Sequence, residues 1–530
     1  MKTAVTHNAR IDTGGEITIW LNGMKNKLFY GDNLTIMRKM GAESVGLIYL
    51  DPPFNSNRSY NLLYKNTTGL PIPEQIEAFC DTWELDYEKS ELARDIPNIM
   101  REYGIRNDAV QFWHYLALTL KESNPRLLAY LVYMTVRLIE MHRLLKPSGS
   151  IYLHCDPAAS HYLKIVMDNI FGKDNFRNEI VWCYKSRPQA KKYFGRKHDI
   201  ILFYSKTENY YFDWQSAARP LSEAAIKKYR LTDDAGRKYR LEGRGITGSP
   251  IKSAKDVDPK WEETNPELVV RDYLDEKIGV AQEDWWEINI INQSSKERLG
   301  YPTQKPLALL ERIVKASSKE GDVVFDPFCG CGTTIEAAIK NHRQWLGCDI
   351  AIHSIKLIAD TRIKKYGLSE NAEYEIEGIP QSAEQARYLF EQDPFQFQYW
   401  AVEKTGGFCS NRKTADRGID GRIYFEAGGE LRSMVLSVKG GNIKPADVRD
   451  LRGVLEREGD TELAGFICLN EPTKAMREEA DAAGFYEYKG VKYPRVQILT
   501  VRDIFDGRKW DCPSVVKTVR KDKGELYLAI

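Results

Sequence analysis

The stretch GDVVFDPFCGCGTTIEAAIKNHRQWLGCDI, residues 321–350, decides the fold class. Val323–Phe325 is a short apolar run closed by Asp326-Pro327, the signature of a strand buried on both faces. The turn Cys329-Gly330-Cys331-Gly332 follows, then the helical pattern of IEAAIKNH and a second apolar strand, RQWLGCDI, closed by Asp349. A strand, a glycine-rich turn, a helix and a strand make a unit of a parallel sheet, and its glycines let backbone approach a ligand closely.

The same punctuation recurs outward. SVGLIYLDPPF (44–54) and GSIYLHCDP (149–157) read as further buried strands, and LLAYLVYMTVRLIEMHRLL (127–145) and LALLERIVKASS (307–318) as helices between them. Strands alternating with helices predict an α/β, doubly wound sheet. From about 176 to 300 the pattern turns polar, aromatic and Gly-punctuated, which reads as an insertion between two halves of that sheet. A polar stretch, NAEYEIEGIPQSAEQ, reads as a linker after residue 375, and a new α/β pattern starts near 393.

Two clusters stand at strand ends, where open α/β sheets bind ligands. In Asp51-Pro52-Pro53-Phe54 the two prolines fix φ and remove both N–H donors, leaving a stiff loop of acceptors suited to an amino group. An exocyclic nucleobase amine is a poor nucleophile because its lone pair is delocalised. Accepting its protons at Asp51 and the Pro52 carbonyl would localise that pair, and Phe54 would stack on the base. A plain Asp-Pro turn is the competing reading for this loop alone. In the second cluster only GxG is present, without the third glycine of a dinucleotide fingerprint. Asp349, 23 residues after Asp326, is nevertheless placed for ribose hydroxyls. Cys329 and Cys331 lack zinc-ligand spacing and read as small fillers.

Composition sets outer bounds. At 530 residues the chain has room for roughly three domains, and 42% hydrophobic with 28% charged residues is ordinary for a globular protein. No run reaches the roughly 18 apolar residues of a membrane span, and no hydrophobic signal core opens the chain, so a cytoplasmic location with no membrane partner is expected. Nine cysteines without a CxxC pair disfavour a disulfide framework or a structural zinc site. The formal charge of +1 averages over an uneven chain: residues 176–260 carry 19 Lys and Arg against 10 Asp and Glu, a net +9, leaving −8 elsewhere. Tyr184, Tyr193, Tyr204, Tyr210, Tyr211, Tyr229 and Tyr239 interleave with those cations. The mixture suits phosphate and base contacts, and equally a solvated basic face over a Tyr-rich core.

DPPF with FNSNRSYN, then LLKPSGSIYLHCDP, SHYLKIVMDNIFG, NEIVWCY, KHDIILFYSK, YPTQKPLALLERIV and DPFCGCGTT, resembles the DNA amino-methyltransferases that modify N6 of adenine or N4 of cytosine. The catalytic half comes first, the order of the beta class, and the resemblance covers roughly 25–375. It implies a permuted methyltransferase fold with a catalytic half over 1–175, a target-recognition region with connecting strands over 176–300, and a cofactor half over 301–375. Asp51, Pro52, Pro53 and Phe54 would form the catalytic loop. Asp326, Phe328, Gly330, Gly332 and Thr333 would line the methionine end of S-adenosylmethionine, Asp349 would hold its ribose, and Asp32 and Lys305 would add contacts. Double-stranded DNA is the implied substrate, with the target base flipped out. Asp before Pro-Pro favours adenine; N4 of cytosine and RNA amines are the alternatives. A homodimer is among the oligomeric states the family allows.

Beyond a linker at 376–392, GIDGRIYFEAGGELRSMVLSVKGG reads as a β-hairpin turning at Gly428-Gly429, which sets Asp420 opposite Ser437 and Lys439 on the same face. Residues 393–530 are similar to the Mrr branch of the PD-(D/E)xK restriction endonucleases, which implies a restriction–modification fusion of prokaryotic type. Asp420 and Lys439 would be catalytic. Mg²⁺ would bind Asp420 with Asp450, or in second place Asp447, because Ser437 replaces the usual middle acid. A domain that only binds DNA, or a surface Asp–Lys pair without chemistry, are the other readings of this hairpin.

Overall fold

The computed structural model describes residues 26–53, 59–62, 76–80, 83–157, 159–185, 192, 194–195, 197–244, 250–255, 257–292, 294–299, 301, 303–409, 418–427, 430–458 and 461–513. Its strands begin with β1 (Asn26–Tyr30) and β2 (Val45–Leu50), followed by a two-stranded ribbon, β3 (Ser59–Leu62) with β4 (Ile76–Cys80). Next come β5 (Leu145–Cys155), β6 (Phe176–Cys183) and β7 (His198–Ser205). A separate four-stranded sheet holds β8 (Leu231–Thr232), β9 (Lys238–Arg244), β10 (Pro250–Lys255) and β11 (Val269–Tyr273). The chain then returns through β12 (Trp285–Glu287), β13 (Val323–Asp326), β14 (Gln344–Asp349) and β15 (Tyr374–Glu377).

The principal sheet has nine strands in the order β12-β6-β7-β5-β2-β13-β14-β1-β15. All six residues of β2 and all four of β13 are buried, as an apolar run covered on both faces requires. Each large apolar side chain so buried contributes roughly 1.5–3 kcal/mol. The helix Pro125–Leu144 packs on one face with buried positions nearly all round; Pro125 opens it, and the Asn124 side chain accepts from Leu127 N–H. β2 and β13 are neighbours, so their carboxyl ends open side by side.

Three expectations about organisation need correction. The sheet is mixed, because β7 runs antiparallel to both β5 and β6, and β6, β7 and β12 belong to it. The inserted unit therefore begins after β7 and ends before β12, well inside 176–300. Only part of β6 is buried, which thins the apolar signal of a strand near a sheet edge. Second, 376–392 is not an irregular linker: β15 pairs in parallel with β1, and Ala383–Gln392 is a helix capped by Ser382. β15 is an edge strand with one buried residue, Tyr374, packed on Trp345, while Lys27 of β1 pairs with Glu375 and Glu377, so its polar sequence mimics a connector. Third, the basic insert is largely self-neutralised. Residues 261–300 hold 10 acids against 4 bases. Arg219 pairs with Glu283, Arg237 with Asp275 and Glu276, and Arg240 with Glu242 and Asp272. Tyr204, Tyr229 and Tyr239 are buried, with their hydroxyls donating to Asp168, Asp272 and Glu262, so these three serve the core of their units. Tyr193 lies outside the described residues.

The C-terminal module carries a five-stranded sheet: β16 (Phe408–Cys409), β17 (Gly421–Ala427), β18 (Glu430–Lys439), β19 (Thr461–Cys468) and, after the ribbon β20 (Phe485–Tyr488) and β21 (Val491–Pro494), β22 (Val496–Thr500). β17 and β18 are antiparallel from Gly421↔Leu436 to Ala427↔Glu430, the register expected from a Gly428-Gly429 turn; that turn itself lies outside the described residues. The module is not detached from the first sheet. One apolar cluster runs from Leu28, Trp345 and Ile352 through Phe397 and Trp400 to Met434 and Leu436. Among the described residues no helix is long and apolar enough to cross a membrane.

Candidate active site

Asp51 follows directly on β2 and Pro52 is buried beside it. The ammonium of Lys305 pairs with Asp51 Oδ2, and the Lys305 carbonyl accepts from the Thr333 hydroxyl at 3.3 Å. One residue thus ties the acceptor loop to the glycine-rich loop. The resemblance implied a cofactor contact for Lys305, whose side chain pairs with Asp51 in this structure. Phe54 lies outside the described residues.

Behind Asp51 runs a buried polar chain that sequence reasoning missed. The Tyr49 hydroxyl lies 2.8 Å from His154 Nδ1, and His154 Nε2 lies 3.3 Å from Asp199 Oδ2. The Tyr184 hydroxyl donates to Asp199 Oδ1 at 3.3 Å. Burial alone would raise the Asp199 carboxyl, but the hydrogen bond and charge of His154, with the charge of Lys305, hold it below the usual range. Burial and the charge of Asp51 push the Tyr49 hydroxyl well up, so it stays a neutral donor or acceptor. The available signals were His154 inside an apolar strand and Asp199 at the start of another, and neither marks a contact 45 residues apart in sequence.

The second loop is built around two buried carboxylates. Asp349 Oδ2 accepts from Gly330 N–H at 2.8 Å and Oδ1 from Ala351 N–H at 2.9 Å; Asp326 Oδ1 accepts from Phe328 N–H at 2.9 Å. Burial pushes Asp326 up to about 7, with the charges of Asp51 and Asp349 adding to it against the Thr334 and Phe328 hydrogen bonds. Burial likewise pushes Asp349 up to about 6, opposed by the Ala351 and Gly330 N–H groups. Neither is ion-paired with Lys or Arg among the described residues, so the site holds negative charge that a cationic ligand would relieve.

Gly330 and Gly332 both have positive φ, 51° and 74°. A Cβ at Gly332 would sit 2.7 Å from Ile358 Cγ1, and one at Gly330 would sit 3.2 Å from the Tyr301 ring. Gly332→Ala is therefore expected to strain both the turn and the packing and to lower Tm, as thermal melts would show. Thr333 opens the helix Thr333–Lys340. Phe328 is half-buried, its ring 6.4 Å from that of Tyr133. Burial raises both Cys329 and Cys331 thiols, in keeping with inert packing.

Asp32, expected as a cofactor contact, caps a helix and holds an arginine. Its Oδ1 accepts from Thr35 N–H at 3.1 Å, capping the helix Asn33–Lys39, and its Oδ2 takes the Arg137 guanidinium at 2.5 Å. The neighbouring Asn33 carries a link to the glycine-rich loop: its Nδ2 donates to the Pro327 carbonyl at 2.8 Å while its Oδ1 accepts from Arg137 Nε at 2.7 Å.

In the hairpin, Asp420 stands opposite Ser437. Its Oδ2 accepts from Val438 N–H at 2.6 Å and from the Ser437 hydroxyl at 3.3 Å. Lys439 and Asp450 are exposed, and Asp447 Oδ2 accepts from Lys444 N–H at 2.6 Å to cap its own helix. Among the described residues no group of three His, Cys, Asp or Glu side chains is placed to hold a metal ion. Among the described residues the donor set falls short of the expected Mg²⁺ site: Asp420 Oδ2 takes the Val438 N–H, Ser437 brings no charge, and no further acid is grouped with them.

Fold and loops together define a doubly wound α/β protein whose acceptor loop and acidic, glycine-rich loop lie at the carboxyl edge of β2, β13 and β14. The profile of the DNA methylase family, N6_N4_Mtase, matches residues 45–360, more than half of the chain, and the chain belongs to that family. It is 32% identical over 258 residues to the type II methyltransferase M.EcaI of Enterobacter cloacae, covering 43% of this chain and 56% of the relative, so just over half of that protein is spanned. It is 28% identical over 347 residues to the DNA adenine methyltransferase YhdJ of Escherichia coli (strain K12), covering 65% of this chain and 85% of the relative. The solved PvuII cytosine-N4-specific DNA methyltransferase aligns with a TM-score of 0.34 at 14% identity, covering 66% of this chain and 91% of that one.

Proposed function

We propose that the chain transfers a methyl group from S-adenosylmethionine to N6 of adenine in double-stranded DNA, as the modification arm of a restriction–modification system. The observation that carries this reading is the juxtaposition of an Asp-Pro-Pro acceptor loop and an acidic, glycine-bearing loop on neighbouring strands, joined by Lys305. The donor set fits the cofactor: Asp326 and Asp349 supply negative charge for a sulfonium and an ammonium group, and Asp349 supplies an acceptor for ribose hydroxyls. S-adenosylmethionine would supply an electrophilic methyl carbon, whose bond to sulfur breaks as the bond to nitrogen forms. Asp51 and the Pro52 carbonyl would accept the two amine protons, localising the nitrogen lone pair, and the proton lost on methylation would pass to Asp51 or water. Lys305 holds the Asp51 carboxylate in place until the amine arrives. Adenine is favoured by Asp51 before Pro-Pro and by the likeness to the DNA adenine methyltransferase YhdJ.

The test is transfer of labelled methyl to duplex DNA, followed by digestion to nucleosides. N6-methyladenine supports the reading, N4-methylcytosine moves the target base, and transfer to RNA alone removes the DNA assignment. Lys305→Gln is expected to lower kcat by about 10–100-fold with a smaller change in cofactor affinity, because it disturbs Asp51 orientation rather than the ribose site.

For residues 393–530, the misfit of the Mg²⁺ donor set favours a nuclease-like module that holds DNA without cutting it. No Mg²⁺-dependent cleavage of unmethylated duplex is then expected from the full chain. Cleavage that Lys439→Ala removes would instead establish the endonuclease.

A further inference from the structure

The helix Pro394–Lys404 falls in the segment similar to an endonuclease, yet two of its polar side chains are spent on the other module's cofactor loop. Gln396 is buried, and its Nε2 donates to the Ile350 carbonyl at 3.2 Å. One face further along, Glu403 Oε2 accepts from Ile352 N–H at 2.8 Å. These are the residues immediately after Asp349, whose own Oδ1 accepts from Ala351 N–H. The run 349–352 is thus held from both sides, by Asp349 from within and by Gln396 and Glu403 from without. Apolar packing locks the contact: Ile352 and Ile355 share a cluster with Phe397 and Trp400, both fully buried. A carboxylate facing main chain in an apolar interface is costly unless its hydrogen bond is made, and burial does push the Glu403 carboxyl up.

We propose that Glu403 and Gln396 are positioning residues for the cofactor loop, so that the C-terminal module completes the S-adenosylmethionine site of the methyltransferase sheet. The inference rests on the cofactor reading above and adds to it a second module. Glu403 fixes the backbone of Ile352, which sets the exit of the loop and with it the direction in which Asp349 faces the ribose. The effect belongs in cofactor affinity, because the two side chains hold main chain at Ile350 and Ile352, directly after Asp349.

The experiment uses the full chain and measures binding of S-adenosylmethionine by calorimetry, with steady-state transfer to duplex DNA. Glu403→Ala is expected to raise Kd and KM for the cofactor about 10-fold, with kcat at saturating cofactor within about twofold. Glu403→Gln keeps an acceptor for Ile352 N–H and is expected to restore most of the loss. In the wild type, cofactor should slow amide exchange over 394–404 as well as 349–357, and Glu403→Ala should abolish the first effect. Should Glu403→Ala fail to fold, Gln396→Leu tests the same contact, with about a 3-fold rise in Kd expected. A Glu403→Ala protein that binds cofactor as the wild type does, or that loses only thermal stability, overturns the inference. A wild-type chain that binds no S-adenosylmethionine overturns the cofactor reading itself, and this inference with it.

Discussion

Replacing Asp51 by alanine lowers methyl transfer to duplex DNA by about 10³-fold or more, while cofactor binding stays within about twofold of wild type. The asymmetry follows from the position of Asp51. It stands directly after β2, where Pro52 offers no N–H and the next acceptor is a carbonyl, so nothing else in the described loop can take an amine proton with a full negative charge. The glycine-rich loop is held by Asp326 and Asp349 and by hydrogen bonds that do not pass through Asp51. Lys305 loses its ion-pair partner in the variant but keeps its carbonyl bond to Thr333. Asp51→Asn separates two roles: it retains an acceptor oxygen without charge, so a loss as deep as that of alanine assigns the effect to charge. Single-turnover transfer with calorimetric cofactor titration reads both quantities. An alanine variant that still methylates removes Asp51 from the chemistry.

Replacing Asp349 by alanine raises the dissociation constant for S-adenosylmethionine by about 10²-fold, since it removes the ribose acceptor and releases both Gly330 and Ala351 N–H groups. A pH dependence accompanies it. Asp326 and Asp349 lie near 7 and 6 in the folded protein, above the ordinary carboxylate value of 3.8. Both protonate as pH falls from 8 to 5, so affinity for a cationic cofactor weakens over that window. Stability moves the opposite way. A carboxyl raised on folding adds stability fully below its unfolded value, and that contribution is lost as pH rises through the folded value. The cofactor-free protein should therefore lose stability between pH 4 and 7. Asp326→Asn, which cannot ionise, should raise Tm by about 2–4 °C at pH 8 and leave it unchanged near pH 4, at the expense of cofactor affinity. Thermal melts across pH, with and without cofactor, check both signs.

Much of the molecule was legible locally. β2, β5, β13 and β14 and the helices Pro125–Leu144 and Leu307–Ser317 lie where apolar runs and 3.6-residue periodicity put them, because burial on both faces leaves no choice of residue type. The hairpin register around Asp420 followed from two adjacent glycines. Edge strands were less legible: β15 buries one residue of four, so nothing in its composition separates it from a connector. Net charge misled for a related reason. Lys185, Arg219, Arg237 and Arg240 of 176–260 find acids in 272–287, and a running sum carries no information on which charges fold together.

Short-range pattern therefore sufficed for the fold class, the two acidic loops and the family resemblance, since each is a run of residues whose φ, burial and spacing are set within a few positions. Pairings distant along the chain needed the folded chain: Lys305 against Asp51, His154 against Asp199, Asn33 against Pro327 and Glu403 against Ile352. Each joins side chains from strands or helices whose order in space differs from their order in sequence. A lone Lys, His, Asn or Glu has the same local propensity whether it faces water or a partner 254 residues away. Packing of the β2–β13 and β14–β1 neighbours, and docking of the helix Pro394–Lys404 on that edge, brought these partners within hydrogen-bonding reach.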